Sequence, residues 1–322
     1  MYISNMQERQ ERYAQFWNKE NHDRPLISIS APKDNASYKH TQFNGSLRER
    51  WWDTQYQINT ARERMRNTYY AAESLPMLNP NLGPDIMAAF LGVSIEYGES
   101  TSWAHPIVKD WKDHTFKFDE QNEYWKKIVE MTNAFLDDSK GDYLVGVTDI
   151  HQAMDALVAL RGPETLCLDL YDYEDEVRKA LVEVEDAFKI VIDKSYKMIS
   201  KKQKGMVNWM GIYHPESWYV SSSDFIYMIS PTNFDDFSKQ SIINEAKIIG
   251  NNIFHLDGEG SAVHLDKLLE MPEVHGIQWV YGDGAPTARH WIERYKKIQD
   301  AGKLVEVPCT ASDIETLINC GL

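Results

Sequence analysis

Apolar positions along this 322-residue chain recur with two different periods. Short apolar runs of strand length alternate with longer stretches in which apolar residues return every third or fourth position, the mark of an amphipathic helix. Residues 6–19 predict a first helix and residues 46–73 a long second one, with Trp51, Ile58, Met65 and Tyr69 along its buried stripe. Residues 121–136 predict another, built on Tyr124, Ile128, Met131 and Phe135. The clearest helix is 174–202, where Val177, Leu181, Val184, Phe188, Val191, Ile192 and Ile199 keep the helical period. Lys201, Lys202 and Lys204 suit the negative end of its dipole. Shorter helices are read at 86–90, 153–161, 234–250, 262–270 and 288–301. Ser312-Asp313-Ile314-Glu315 reads as a capping box for a terminal helix.

Strands are read at 26–30, 93–97, 143–148, 206–212, 225–229, 251–257, 277–281 and 304–307. Eight strands alternating with helices, with no low-complexity linker, predict an α/β protein that forms a single (β/α)8 TIM barrel over residues 1–322. Residues 1–80 are read as a helical N-terminal extension packed on that barrel.

Residues 251–257, NNIFHLD, stand at the centre of this scheme. Polar Asn251 and Asn252 lead into an apolar core that ends on His255-Leu256-Asp257, and Gly258 and Gly260 then break the strand. Barrels of this kind keep their chemistry at the C-terminal ends of the strands. Polar residues collect there in this chain: Asp149 and His151, Tyr213 and His214, Asp224, His255 and Asp257, Asp283, and Cys309. The strand starts carry nothing comparable.

His255, Asp257 and Cys309 suit zinc, a borderline-soft ion that accepts imidazole, carboxylate and thiolate and keeps an open position when three protein ligands hold it. Two residues apart on a regular strand, His255 and Asp257 share a face. The same pair is also the ordinary pattern of a hydrogen-bonded His and Asp, and a free cysteine is often a small core residue. Pro308 before Cys309 and a helix after it predict a lowered thiol pKa. Cys167 and Cys320 are read as structural. Trp103, Trp209, Tyr213, Trp218, Trp279 and Tyr281, with His214, fall on or near the same rim. They read either as the lining of a pocket for a flat or methylated substrate or as core.

Hydrophobic residues make up 43% of the chain, enough for a sizeable core. The formal charge of −15, from 34 basic and 49 acidic side chains, argues against nucleic-acid and anionic-membrane partners, which need a positive field. Arg48, Arg50, Arg62, Arg64 and Arg66 crowd one predicted helix and read as a solvated face or as a patch for an anionic ligand. Three cysteines are too few and too odd for a disulfide framework. With no secretory apolar region and no run approaching the ~20 residues that cross a bilayer, a soluble cytoplasmic protein is expected. The phosphate-binding, nucleophile-elbow and Cys-x-x-Cys motifs are absent from the sequence.

The segments TDIHQAMDALVALRGPETLCLDLYDYEDEV (148–177), SSDFIYMISPTNF (222–234) and FHLDGEGSAVHLDKLLEMPEVHGIQWVYGDG (254–284) resemble the uroporphyrinogen decarboxylase superfamily. The likeness is greatest to its corrinoid-dependent methyltransferases of the methylcobamide:coenzyme M type, and it runs from near residue 80 to the end. The resemblance implies a TIM barrel. Those methyltransferases bind zinc through His-x-Cys and a distant cysteine. His255 matches the histidine, Cys309 the distant cysteine, and Asp257 stands in place of the middle cysteine.

The resemblance thus implies zinc on His255, Asp257 and Cys309, assisting methyl transfer between a corrinoid and a small-molecule donor or acceptor. Asp149, Asp224 and Asp283 would orient substrate or shuttle a proton. The corrinoid would come on a partner protein, since no Asp-x-His-x-x-Gly motif occurs here. The Arg-Gln-Ala-Gly-Arg signature of the decarboxylases is missing, which argues against uroporphyrinogen as substrate. Two other readings stay open: a metal-free lyase using the rim aspartates and Arg161, and a non-catalytic tetrapyrrole- or corrinoid-binding protein.

Overall fold

A computed structural model describes residues 2–39 and 43–322. Among these the strands are β1 Ser28–Pro32, β2 Thr68–Ala72, β3 Met77–Leu78, β4 Ser94–Tyr97, β5 Ser102–His105, β6 Leu144–Val145, β7 Trp218–Ser222, β8 Asn251–Asp257, β9 Gly276–Val280 and β10 Leu304–Glu306. The chain divides into two compact units, one made of residues 1–105, 118–150 and 190–217, the other of 106–117, 151–189 and 218–322.

The expected closed eight-stranded barrel does not form. The strands make four separate sheets: β1 with β2, β3 with β6, β4 with β5, and a four-stranded sheet in the order β10-β9-β8-β7. The reason lies in where each early strand finds its edge. Segment 46–73 is not one helix. Asp53 caps a second helix, Thr54–Asn67, by accepting the Tyr56 amide, and the chain then extends as β2. That strand pairs antiparallel with β1, every residue of which is exposed.

Likewise β4 is paired antiparallel by β5, through a turn closed by Gly98 N–H on the Thr101 carbonyl at 2.8 Å. Residues 206–212 hold only an isolated bridge between Met206 and His214. Residues 225–229 fall mostly in the 3-10 helix Asp224–Met228, and the strand lies just before it, at β7.

Within the first unit, Arg48, Arg50 and Arg62 pair with Glu123, Glu99 and Asp138. Such ion pairs describe a solvated helix face.

The second unit holds a parallel sheet whose neighbours are consecutive in the chain. Helices Lys239–Ile249, Leu265–Leu269 and Ile292–Asp300 connect its strands. All of β7 is buried, and β9 is buried from Gly276 to Trp279. Continuous burial is what a parallel sheet covered on both faces requires.

Two polar anchors set the strand starts. Buried Asn252 donates to the carbonyls of Gly250 and Glu273, and Lys303 donates to those of Met271 and Val274. Gly276 lets β9 and β10 approach, since a Cβ there would sit 2.9 Å from Leu304 Cβ and 3.1 Å from the Leu304 carbonyl oxygen. The resulting register aligns Ser222, His255, Gln278 and Glu306 in one row across the four strands. Residues in register on a sheet share a face.

Candidate functional site

The second unit gathers its titratable groups at the C-terminal end of this sheet. After β7 the backbone turns at Ser223 into the short helix Asp224–Met228. The first amides of a helix have no partner within it. Asp155, in the first turn of the helix Ala153–Arg161, supplies one: its two carboxylate oxygens accept the amides of Asp224 at 2.9 Å and of Phe225 at 3.0 Å. Ala153 holds a left-handed backbone with φ of 45°, a strained conformation for a residue with a Cβ. It lies between Asp155 and His151 in the chain.

The ligand atoms of His151, Asp155 and Asp224 all lie within 4.8 Å of one another. Asp155 is buried, His151 half-buried and Asp224 exposed, so the group opens to solvent on one side. Burial pushes the Asp155 carboxyl up to about 6, and the charge of Asp224 adds to the effect; His151 and the two amides oppose it. Two carboxylates and an imidazole at this spacing can hold a metal ion. A divalent cation would offset the repulsion between the two aspartates. Each Asp155 oxygen spends one lone pair on an amide and keeps a second for a metal. The donor set therefore fits a metal on chemical grounds.

Asp257 and His255 lie on β8, on the same face. Burial raises the Asp257 carboxyl; His255 offsets part of the rise and Asp224 adds to it. His255 Nδ1 hydrogen-bonds the carboxamide oxygen of Gln278. Next in the row, the buried carboxyl of Glu306 is pushed up to about 7 by desolvation, with Gln278 offsetting part of the rise.

Cys309 is exposed three residues beyond β10. Burial of the thiol, followed by the charges of Asp313 and Glu306, raises its pKa, opposite to the expected lowering. The helix expected at its back starts only at Ile314, and the carboxylate of Asp313 precedes it. Burial works against the charge of Asp313, yet bonds from Thr310, Arg289 and Thr287 hold its carboxyl well below the usual range. The expected capping box is absent, since Asp313 rather than Ser312 precedes the first helical residue and the Ser312 hydroxyl meets Arg289 and Thr310.

Among the described residues, His151–Asp155–Asp224 is the one group of three or more potential ligands gathered this tightly, and His255, Asp257 and Cys309 do not make such a group. Asp283 is exposed between Gly282 and Gly284, both with positive φ. Tyr281 follows β9, half-buried, its hydroxyl pushed up by burial and by nearby Asp313 and Cys309. Trp279 is fully buried on the face opposite Gln278, its ring 5.6 Å from that of Trp291, with the Arg294 guanidinium 4.0 Å above it. Arg161 is committed to Asp169 at 2.6 Å.

The other expected residues belong to the first unit. Trp103 is exposed on β5, and Asp149 and Trp209 are half-buried. Tyr213 and His214 are buried against the first helix: Trp17 Nε1 donates to the Tyr213 carbonyl at 2.9 Å, and its ring meets that of His214 edge-on at 4.8 Å.

Sequence reasoning missed Asp155, Gln278 and Glu306. Asp155 looks like any acidic residue in a first helical turn. Glu306 in Leu304–Val307 carried a signal that was available, a charged residue on the face that strand alternation turns inward.

No protein-family model matches the chain, and no curated protein matches its sequence. Among solved structures it is similar to a methyltransferase from Methanosarcina mazei, with a TM-score of 0.60 and 11% identity over 97% of each chain. At that identity the likeness is one of fold. Among the described residues no helix is long and apolar enough to cross a membrane.

Proposed function

We propose that this protein is a metal-assisted transferase, and specifically a methyltransferase that moves a methyl group between a corrinoid on a partner protein and a small-molecule donor or acceptor. The observation that carries the reading is the His151–Asp155–Asp224 group beside the C-terminal end of β7. The shared fold with a methyltransferase supports the reaction class, and the segments that resemble corrinoid-dependent methyltransferases support the corrinoid.

In this reading His151, Asp155 and Asp224 hold one zinc ion, a donor set of one nitrogen and two oxygens that leaves a position for substrate. Bound there, zinc supplies a Lewis acid. The protein's own residues do the rest. The amides of Asp224 and Phe225 fix the Asp155 carboxylate in place. Asp257, its carboxyl raised by burial and held back in part by His255, exchanges a proton with the substrate.

Elemental analysis of untagged protein tests the assignment. About one zinc per chain is expected, lost in His151→Ala and in Asp155→Asn but kept in Cys309→Ser. Loss in Cys309→Ser with retention in Asp155→Asn would move the metal to His255, Asp257 and Cys309. No zinc after incubation with the metal would overturn metal assistance.

One observation favours a second reading. Asp155, Asp257 and Glu306 all have raised carboxyl pKa values, as a cofactor-free acid–base lyase would use. That enzyme would turn over a carboxylated substrate in the presence of a chelator.

A further inference from the structure

The row His255–Gln278–Glu306 ends on an atom without a partner. Gln278 is the middle member, and its carboxamide oxygen is taken by His255 Nδ1, which leaves its amide nitrogen as the free donor of a side chain in register with Glu306. The carboxylate oxygen Oε2 of Glu306 is buried and has no hydrogen-bond partner. Its charge raises the Cys309 thiol and the Tyr295 hydroxyl, neither of them a cation.

A buried, unpaired carboxylate is among the costlier things a fold can keep. A neutral acid at Glu306 would remove the charge but leave a hydroxyl proton without an acceptor. A water molecule would supply a hydrogen bond but no charge. A cationic donor answers both needs at once. The position suits a ligand, because Glu306 ends a parallel strand and the next residues lead to exposed Cys309. In open parallel sheets ligands bind outside the carboxyl ends of the strands.

We propose that Glu306 is the binding residue for an ammonium group, and that the small molecule handled by this protein is an amine. The inference deepens the transferase reading and rests on it for where the reaction takes place. The ammonium sits on Glu306 Oε2, at the end of β10 and in the row that Gln278 and His255 continue. Binding needs only Glu306, Gln278 and the sheet that aligns them. The strongly acidic surface favours approach of a cation.

Ethanolamine and ethylene glycol make a probe pair of nearly equal size that differs in the ammonium. Saturation-transfer NMR on the full chain, with each probe at about 10 mM to reach weak affinities, is run on zinc-loaded and chelator-treated protein. Ethanolamine is expected to bind in both states and ethylene glycol in neither. Glu306→Gln, nearly isosteric and uncharged, should weaken ethanolamine binding by about tenfold or more, with its melting temperature unchanged or higher. Equal signals from the two probes, no ethanolamine signal, or undiminished binding in a folded Glu306→Gln would each overturn the proposal. Asp155→Asn separates it from the metal assignment, since that variant should lose zinc and keep the amine.

Discussion

Asp155 accepts the backbone amide of Asp224 at 2.9 Å and thereby holds the side chain of Asp224 beside its own carboxylate. One contact builds the local structure after β7 and also sets two like charges together. The fold gains a helix cap and the site gains a place that favours a cation.

Replacing Asp155 with Asn separates these two effects. The amide side chain keeps one acceptor for Asp224 or Phe225 and loses the other, which should cost about 1–2 kcal/mol of stability. Metal affinity should fall about a hundredfold or more, beyond the loss typical of a supporting residue. Thermal unfolding and metal titration of the same variant measure the two; unchanged affinity would remove Asp155 from the ligand set.

Metal-free protein should lose stability as pH rises. Burial raises Asp155 to about 6 and Glu306 to about 7, above their values in an unfolded chain. Groups raised in the folded state contribute stability that is present below their unfolded pKa and lost as pH climbs through the folded one. In chelator the melting temperature should therefore fall between about pH 4 and pH 7. Saturating zinc should reverse the trend above pH 6, because the ion binds the deprotonated carboxylates. A melting temperature that rises with pH in chelator would contradict the burial argument.

Glu245 is fully buried on the helix Lys239–Ile249, and burial, then the charges of Glu185 and Asp155, push its carboxyl well above the ordinary range. Glu245→Gln removes a group that resists ionisation. It should stabilise the protein by about 1 kcal/mol near pH 8, with a smaller gain near pH 5, where the native carboxyl is already neutral. Urea unfolding at the two pH values reads the difference. Destabilisation at both would give Glu245 a charged structural role.

Gly276→Ala places a methyl group 2.9 Å from Leu304 Cβ, where neither β9 nor β10 can move without disturbing the row that ends on Glu306. A cost of about 1–3 kcal/mol is expected, as for other overpacked cores. The same variant should weaken ethanolamine binding without changing zinc content, since the metal group lies beside β7. Loss of zinc instead would point to disruption of the whole sheet.

Cys309 should alkylate slowly. Its thiol is raised by burial, Asp313 and Glu306, so the thiolate is scarce near neutral pH. Mass spectrometry after limited iodoacetamide treatment at pH 7.5 should show Cys309 reacting more slowly than a free cysteine, and Glu306→Gln should speed it. Rapid reaction in the parent protein would mean that the helix after it governs the thiol after all.

Much of the second unit could be read locally. The run Asn251–Asp257 is a strand with the boundaries its apolar pattern suggests, and the helix Ala153–Arg161 likewise matches its sequence period. In both, the information lies in neighbouring residues, because burial on two faces or on one stripe leaves its period in the chain. The closed barrel was not legible in the same way. Residues 26–30 read as a strand but Thr68–Ala72 reads as the end of a long helix; that Ser28–Pro32 and Thr68–Ala72 pair with each other, antiparallel, is a choice between distant edges that no local period records.

The candidate site divides along the same line. The sequence by itself determined that His255 and Asp257 share a face, since two residues on one strand can do nothing else. Only the tertiary structure decided that Asp155 meets Asp224 and that Glu306 falls in register with Gln278. Those partners come from separate segments, and the hydrogen bonds and desolvation that give them their chemistry exist only once the sheet and its helices have packed together.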